Sequence, residues 1–414
     1  MPENFHIDMP EAVRNIIHTI EEHGFKAYAV GGCIRDSILG RNPDDWDITT
    51  SAVPSQIKTF FKRTVDTGIA HGTVTIMIDK TGYEVTTYRI DGEYEDGRHP
   101  KSVEFSDRLV DDLCRRDFTI NAMAYNDTDG FVDEFKGLDD LDTKIIRCVG
   151  EPELRFTEDA LRMMRAIRFS AQLGFTIDEA TWNAIKKLSP SISKISMERV
   201  HVELGKTLMS AHPDYVAQYS EAGLFAPILP VIDNALKSRY KRKILATLQH
   251  TPDNIYLRYA ALFITSTPDE AAKTLRALKL DNKTVNTVSK LVELSKMDIE
   301  ETEPAVRTAL NKYGRDFLPL WHELMMAVIQ ASEDITGISN PAKVKHLLTL
   351  KRLGTDILAR GDCFTIKDLD ISGNDLIEYG LQGHEIGETL KSLLDIVIEN
   401  PKLNDKATLI AMIE

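Results

Sequence analysis

Residues 27–50 read AYAVGGCIRDSILGRNPDDWDITT. An apolar strand, Ala27 to Val30, runs into a glycine pair, Gly31 and Gly32. A short helix follows from about Cys33 and carries Arg35 and Asp36. After a turn at Asn42-Pro43 come Asp45-Trp46-Asp47 and then Ile48-Thr49-Thr50. Side chains two apart on a strand share a face, so Asp45 and Asp47 are expected side by side. Two glycines where a helix begins make a seat for phosphate, because free backbone N–H groups and the helix dipole both favour an anion. Gly32 lets the backbone approach closely, and Arg35 offers a planar fork to phosphate oxygens.

Upstream, Val13, Ile16, Ile17 and Ile20 fall on one helical face that stops at Gly24. Downstream, Pro54 opens a helix. Residues 72–78 and 83–88 then alternate with period two and are joined at Lys80-Thr81-Gly82, which reads as a hairpin. That hairpin brings Glu84 onto a central strand near the two aspartates. Hard carboxylate oxygens suit Mg²⁺, which shares its shell between carboxylate and phosphate. With Glu84 the set has the donors for an in-line phosphoryl displacement. The residues 89–105 have no period and read as a loop. The acidic run Asp107 to Asp112 reads as a solvated face.

From Glu151 onward the chain reads as helices, beginning with one long helix from Glu158 to Leu173. The fold class is therefore α+β, a mixed-sheet head with helices followed by an all-α remainder. The expected boundaries are 1–150 for the head, 151–215 for a neck, 216–335 for a body and 336–414 for a tail. No apolar run nears the roughly 20 residues of a membrane span. The N-terminus has no signal-peptide pattern. The four cysteines have no metal-ligand or disulfide spacing, which points to the cytoplasm. The net charge is −14. Residues 1–150 hold 28 Asp and Glu against 17 Lys and Arg. An acidic chain of this kind is not an indiscriminate nucleic-acid binder, although a local basic groove remains compatible. Two candidates for such a groove are Lys237 to Lys243 and the set Lys343, Lys345, Lys351 and Arg352.

The order GGxxRD (31–36), DxD (45–47), RRDFTINAMAY (115–125) and EDALRMMRAIRF (158–169) resembles the bacterial class II tRNA nucleotidyltransferases of the polymerase-beta superfamily. The likeness is specific over about the first 210 residues and only one of helical style beyond. It implies template-independent addition of C, C and A to tRNA from CTP and ATP with Mg²⁺, so that tRNA is the partner. By position Asp45 and Asp47 match metal ligands, Glu84 the third carboxylate, and Gly32 and Arg35 triphosphate contacts. Arg116, with Asp117 and Asn121, matches the motif near sugar and phosphate. Asp159 and Arg162 match the base-recognition pair, Arg165 and Arg168 further nucleotide contacts, and Ser196 to Arg199 a neck brace.

The Asp159–Arg162 pair also has a physical rationale. Three apart on one helix, the two side chains share a face. Cytosine and adenine each present an amino donor beside a ring-nitrogen acceptor, which an Asp and an Arg complement. Uracil and guanine present the reverse. Arg162, Arg165 and Arg168 form a row that repels itself unless anions lie against it, and a triphosphate would supply them. The loop 89–105 is placed to bias the change from C to A. Alternatives left open are a CC-only or A-only enzyme, a poly(A) polymerase and a non-catalytic tRNA-binding protein. The oligomeric state is open too, a homodimer included.

Overall fold

A computed structural model describes residues 6–92 and 103–413. The chain forms two compact units, Met1–Pro230 and Val231–Glu414. The expected head and neck fall in the first unit.

The first unit is built on a seven-stranded mixed sheet of order β3-β4-β5-β2-β1-β8-β9. Its strands are β1 (Ala27–Val30), β2 (Ile48–Thr50), β3 (Thr64–Gly68), β4 (Thr73–Ile78), β5 (Thr81–Thr87), β8 (Ala124–Asn126) and β9 (Gly130–Val132). Strands β2 and β5 run parallel and the other neighbours antiparallel. All four residues of β1 are buried, as a central strand covered on both faces requires. Helix α1 (Glu11–Glu22) buries Val13, Ile16, Ile17 and Ile20 as the periodicity predicts. Helices α2 (Gly32–Ile38), α3 (Pro54–Phe60), α4 (Leu109–Cys114) and α5 (Gly137–Asp142) complete the head.

Three details differ from the sequence reading. The β4–β5 hairpin turns at Asp79-Lys80, since Ile78 pairs directly with Thr81. Both turn residues have positive φ (46° and 71°), the geometry that matches strand twist in a two-residue hairpin. The loop 89–105 is not wholly irregular: β6 (Arg89–Asp91) and β7 (Val103–Phe105) pair antiparallel at its ends. Its centre, 93–102, lies outside the described residues, as therefore does most of the segment expected to bias C against A. Finally, the helix expected over 158–173 begins only at Leu161, and Glu158 closes a separate helix before it. Helix α6 (Pro152–Glu158) ends where Asp159 turns extended (φ −143°, ψ 104°), and α7 (Leu161–Leu173) begins after it. Helices α8 (Glu179–Leu188), α9 (Met197–Leu208) and α10 (Val216–Glu221) follow. Helix α7 packs on both α9 and α10.

The second unit is helical throughout its described residues. It comprises α11 (Pro230–Lys237), α12 (Lys241–His250), α13 (Ile255–Leu262), α14 (Pro268–Ala277), α15 (Asn282–Leu294), α16 (Glu303–Tyr313), α17 (Phe317–Thr336), α18 (Pro341–Arg360), α19 (Gly373–Tyr379), α20 (His384–Glu399) and α21 (Lys406–Ala411). Helix α12 packs along α17 and α18 also packs on α17. A Cβ at Gly354 would lie 2.0 Å from Leu318 Cδ2, so only glycine permits this approach of α18. Leu376, Leu393, Leu394, Val397 and Leu409 anchor a separate apolar cluster near the C-terminus. No helix among the described residues is long and apolar enough to cross a membrane.

Candidate active site

Asp45 and Asp47 lie in the extended segment leading into β2 and not within the strand itself. The ladder nevertheless reaches them, because Val30 N donates to Asp47 O at 3.0 Å. Trp46 between them is 6% exposed, whereas both aspartates are exposed. The period-two alternation thus holds, and the two carboxylates share a face. The parallel register sets Ile48 opposite Val85, so Asp47 and Glu84 stand one step before that pair on adjacent strands.

Water reaches Asp47, yet the protein around it desolvates the carboxylate and raises its pKa above the ordinary 3.8. Arg116 pulls the other way, and the charges of Asp45 and Glu84 add to the rise. Among the described residues no three His, Cys, Asp or Glu side chains are grouped closely enough to hold a metal ion by themselves. The acids instead form an open, mutually repelling edge of hard oxygens. That donor set fits a divalent cation which draws its remaining ligands from phosphate.

At the turn after β1 it is Gly31, and not Gly32, that needs to be glycine. Gly31 has φ 86°, and a Cβ there would stand 3.0 Å from Arg116 Nη1. Gly32 has ordinary φ, with Arg35 Nη2 3.7 Å from where its Cβ would be. Arg35 does not hold its fork open for an anion. It is 8% exposed, its Nε and Nη2 donate to Asp36 (2.9 and 2.8 Å), and its Nη1 donates to Asn121 Oδ1 at 2.7 Å.

From Asn121 a polar chain continues into the neck. Asn121 Nδ2 donates to Asp117 Oδ1 at 3.3 Å, and Arg165 Nε donates to Asp117 Oδ2 at 2.7 Å. Arg165 also reaches Glu203 at 3.9 Å, and Arg168 forms an ion pair with Glu203 at 2.5 Å. Burial would raise the pKa of Asp117, but the Arg165 guanidinium, with Arg162 and the Asn121 hydrogen bond, outweighs it and holds the carboxyl down at about 2. The guanidinium groups of Arg35, Arg165 and Arg168 all lie against the ring of Phe169, at 5.1, 5.3 and 3.9 Å from its centroid.

The arginine row on α7 exists as expected, but protein carboxylates neutralise it. Glu158 meets Arg162 at 2.5 Å, Asp117 meets Arg165, and Glu203 meets Arg168. Asp159 and Arg162 are neighbours across a helix break and not two residues of one helix. Asp159 is gripped by Arg199 of α9 at 2.6 and 3.3 Å, and Arg162 also donates to the carbonyls of Arg155 (3.2 Å) and Arg115 (2.9 Å).

Asp112 overturns the reading of 107–112 as a solvated run, for it is fully buried. It accepts from Arg115 Nε at 2.9 Å, from Arg116 Nη2 at 3.1 Å and from the Thr49 hydroxyl at 3.1 Å. Sequence reasoning missed Asp112, Glu158 and Glu203. Asp112 stands three and four residues before the two arginines, and Glu158 four before Arg162, which is the helical pairing distance. Glu203 carries no such local signal.

In the second unit the two basic runs come together. Lys243 and Lys343 line one cavity of about 570 Å³, with Trp321, Met325, Ile329 and Leu347 as its apolar wall.

Comparison with known proteins places this architecture. Residues 27–147 match the family described as poly A polymerase head domain, and 174–236 match the probable RNA and SrmB-binding site of polymerase A. Residues 256–413 match the tRNA nucleotidyltransferase domain 2 family. The chain is 34% identical to the CCA-adding enzyme of Pediococcus pentosaceus, over 99% of this chain and 98% of that one. It is 36% identical to the CCA-adding enzyme of Levilactobacillus brevis, over 100% and 98%. The chain belongs to the CCA-adding enzymes. Among solved structures, the CCA-adding enzyme of Bacillus stearothermophilus in complex with CTP superposes with a TM-score of 0.75 at 32% identity, over 97% of this chain and 95% of that one. The Thermotoga maritima CCA-adding enzyme complexed with tRNA shares the fold, with a TM-score of 0.59 at 21% identity. As a CCA-adding enzyme the protein is a nucleotidyltransferase of tRNA processing, and it belongs to a superfamily that generally depends on a divalent metal.

Proposed function

We propose that this CCA-adding enzyme selects CTP and ATP with Asp159 and Arg162 and joins them to the tRNA 3′ end at Asp45 and Asp47. The observation that carries the reading is the open acidic edge: two exposed aspartates flanking buried Trp46, with Glu84 on the adjacent strand. Asp45 and Asp47 would hold Mg²⁺, with Glu84 the third carboxylate. A bound Mg²⁺ lowers the pKa of the attacking hydroxyl and screens the charge on the departing pyrophosphate. Arg116 and the Gly31–Gly32 turn orient the triphosphate beside that edge. Arg35, Arg165 and Arg168, packed round Phe169, support the pocket from behind.

Asp159 accepts from the base's amino group and Arg162 donates to its ring nitrogen. Because Arg199 and Glu158 already hold the two side chains, little reorganisation is left for the moment of binding. Uracil or guanine would set acceptor against acceptor and donor against donor, a buried mismatch worth on the order of 10⁴-fold in selectivity. The Lys243 and Lys343 rim in the second unit suits tRNA phosphates, which lysines position without reading sequence. Four free cysteines accord with a cytoplasmic setting.

The test is a gel of nucleotides added to tRNA lacking its 3′ CCA, with each nucleoside triphosphate alone and with CTP plus ATP. Two additions are expected with CTP alone, and a third only when ATP follows. A long tail with ATP would indicate a poly(A) polymerase. Asp47→Ala should abolish addition while tRNA binding survives, and undiminished addition would sink the metal site. Asp159→Ala should admit UTP, and unchanged rejection of UTP would refute the base-reading role.

A further inference from the structure

The buried carboxylate under the head has no part in the chemistry above. We propose that Asp112 is a positioning residue that ties the strand directly after the metal-binding aspartates to the arginine facing the triphosphate. The inference rests on the active-site reading just given.

Three features of its surroundings support the assignment. First, Asp112 is fully enclosed, and a carboxylate without solvent is tolerated only where donors satisfy it. Here Arg115, Arg116 and Thr49 do so together. Second, the donors come from separate parts of the site. Thr49 belongs to β2, two residues after Asp47, while Arg116 lies beyond α4 in the head's second motif. Third, Arg116 is held where it matters. With Nη2 on Asp112, its Nη1 comes to within 3.0 Å of where a Gly31 Cβ would stand. Its charge also acts on Asp47. A guanidinium on a long, flexible stem has no reason to stay between the phosphate turn and the acidic edge unless something fixes its far side. Asp112 fixes it, and the Thr49 bond sets that anchor at a constant height against β2.

A carboxylate in this role acts on phosphate geometry and not on the base. Its loss should raise KM for CTP and ATP alike, and leave discrimination against UTP untouched.

The experiment is a double-mutant cycle on the full-length enzyme with Asp112→Asn, Arg116→Gln and the double variant. It is read as kcat and KM for CTP and ATP on tRNA lacking CCA, with the melting temperature recorded for each. Asp112→Asn should lower kcat/KM about 10- to 100-fold for both nucleotides. The double variant should be no worse than Arg116→Gln alone, because Asp112 acts through that arginine. Effects that multiply, a loss of less than twofold from Asp112→Asn, or a change in the CTP-to-UTP ratio would each overturn the proposal. Should Asp112→Asn not fold, Thr49→Val leaves the carboxylate in place and removes the hydroxyl that reaches it at 3.1 Å and the Thr86 carbonyl at 3.2 Å. It should give a two- to fivefold loss in the same direction, and unchanged kinetics there would equally refute the role. Wild-type enzyme that adds neither C nor A would instead defeat the active-site reading, so the two failures are distinguishable.

Discussion

Replacing Asp117 by Asn would test whether head and neck are joined by charge. Asp117 follows the double arginine of the head and meets Arg165 on α7 through two short contacts, 2.7 Å to Nε and 2.6 Å to Nη2. It is 8% exposed, so screening by water is slight. Burial raises its pKa, but Arg165, with Arg162 and the Asn121 hydrogen bond, brings it from 3.8 down to about 2. A depression of nearly two units corresponds to about 2–3 kcal/mol of folding stability. The sign follows from the depression. The contribution is complete above the unfolded pKa near 4 and disappears as pH falls towards 2. By pH 3 about 1 kcal/mol of it should already be gone. At pH 6 Asp117→Asn should therefore lower the melting temperature of the first unit by roughly 5–10 °C, at 2–4 °C per kcal/mol for a unit of this size. Urea titrations at pH 6 and pH 3 would measure the effect. Tryptophan fluorescence reports on the first unit through Trp46 and Trp182. The gap between wild type and variant should narrow by about 1 kcal/mol at the lower pH. An equal gap at both values, or a variant as stable as wild type, would show that the Arg165 pair does not hold Asp117 ionised in this way.

Two further substitutions probe the turn and the base pocket. Gly31→Ala forces φ 86°, ψ −129° on a residue with a Cβ, a backbone region that glycine alone enters readily, and also displaces Arg116. Gly24→Ala also places a Cβ at positive φ (84°) but with nothing within 4 Å, so only Gly31→Ala should raise KM for both nucleotides severalfold in steady-state addition assays. Arg199→Met removes the grip on Asp159. The pair is partly exposed, so the loss should be modest, about 1–2 kcal/mol, or roughly tenfold in rejection of UTP. Primer extension with UTP beside CTP would measure it, and unaltered rejection would show that Asp159 needs no brace.

Much of the head was legible because its signals are local. The alternation about Trp46, the apolar run of β1 and the i, i+3, i+4 face of α1 each follow from one short stretch, and each is seen in the fold. Where the reading failed, tertiary contacts had overruled local pattern. The apolar period runs through Glu158 to Leu173 without a glycine or proline to mark a break. The Asp159 carboxylate is held by Arg199, forty residues on, a contact that no local pattern announces. Asp112 looked solvated because its neighbours Asp107 and Asp111 are acidic; Arg115 and Arg116 stood within pairing distance, but the Thr49 hydroxyl that helps enclose it comes from a distant strand. The arginine row was visible, but its counter-ions were not: Glu203 reaches α7 from a helix whose own sequence gives no reason to pair there.

On the proposed function, that arginine row has a kinetic consequence. Its charge is already matched by Glu158, Asp117 and Glu203 before any substrate arrives. The neck side of the pocket is therefore close to electroneutral at rest. A site built from bare arginines would hold pyrophosphate as firmly as it held the incoming triphosphate. An enzyme that must empty itself after each of three successive additions gains by lending its cations to its own carboxylates, so that polyanions arrive and depart without being trapped.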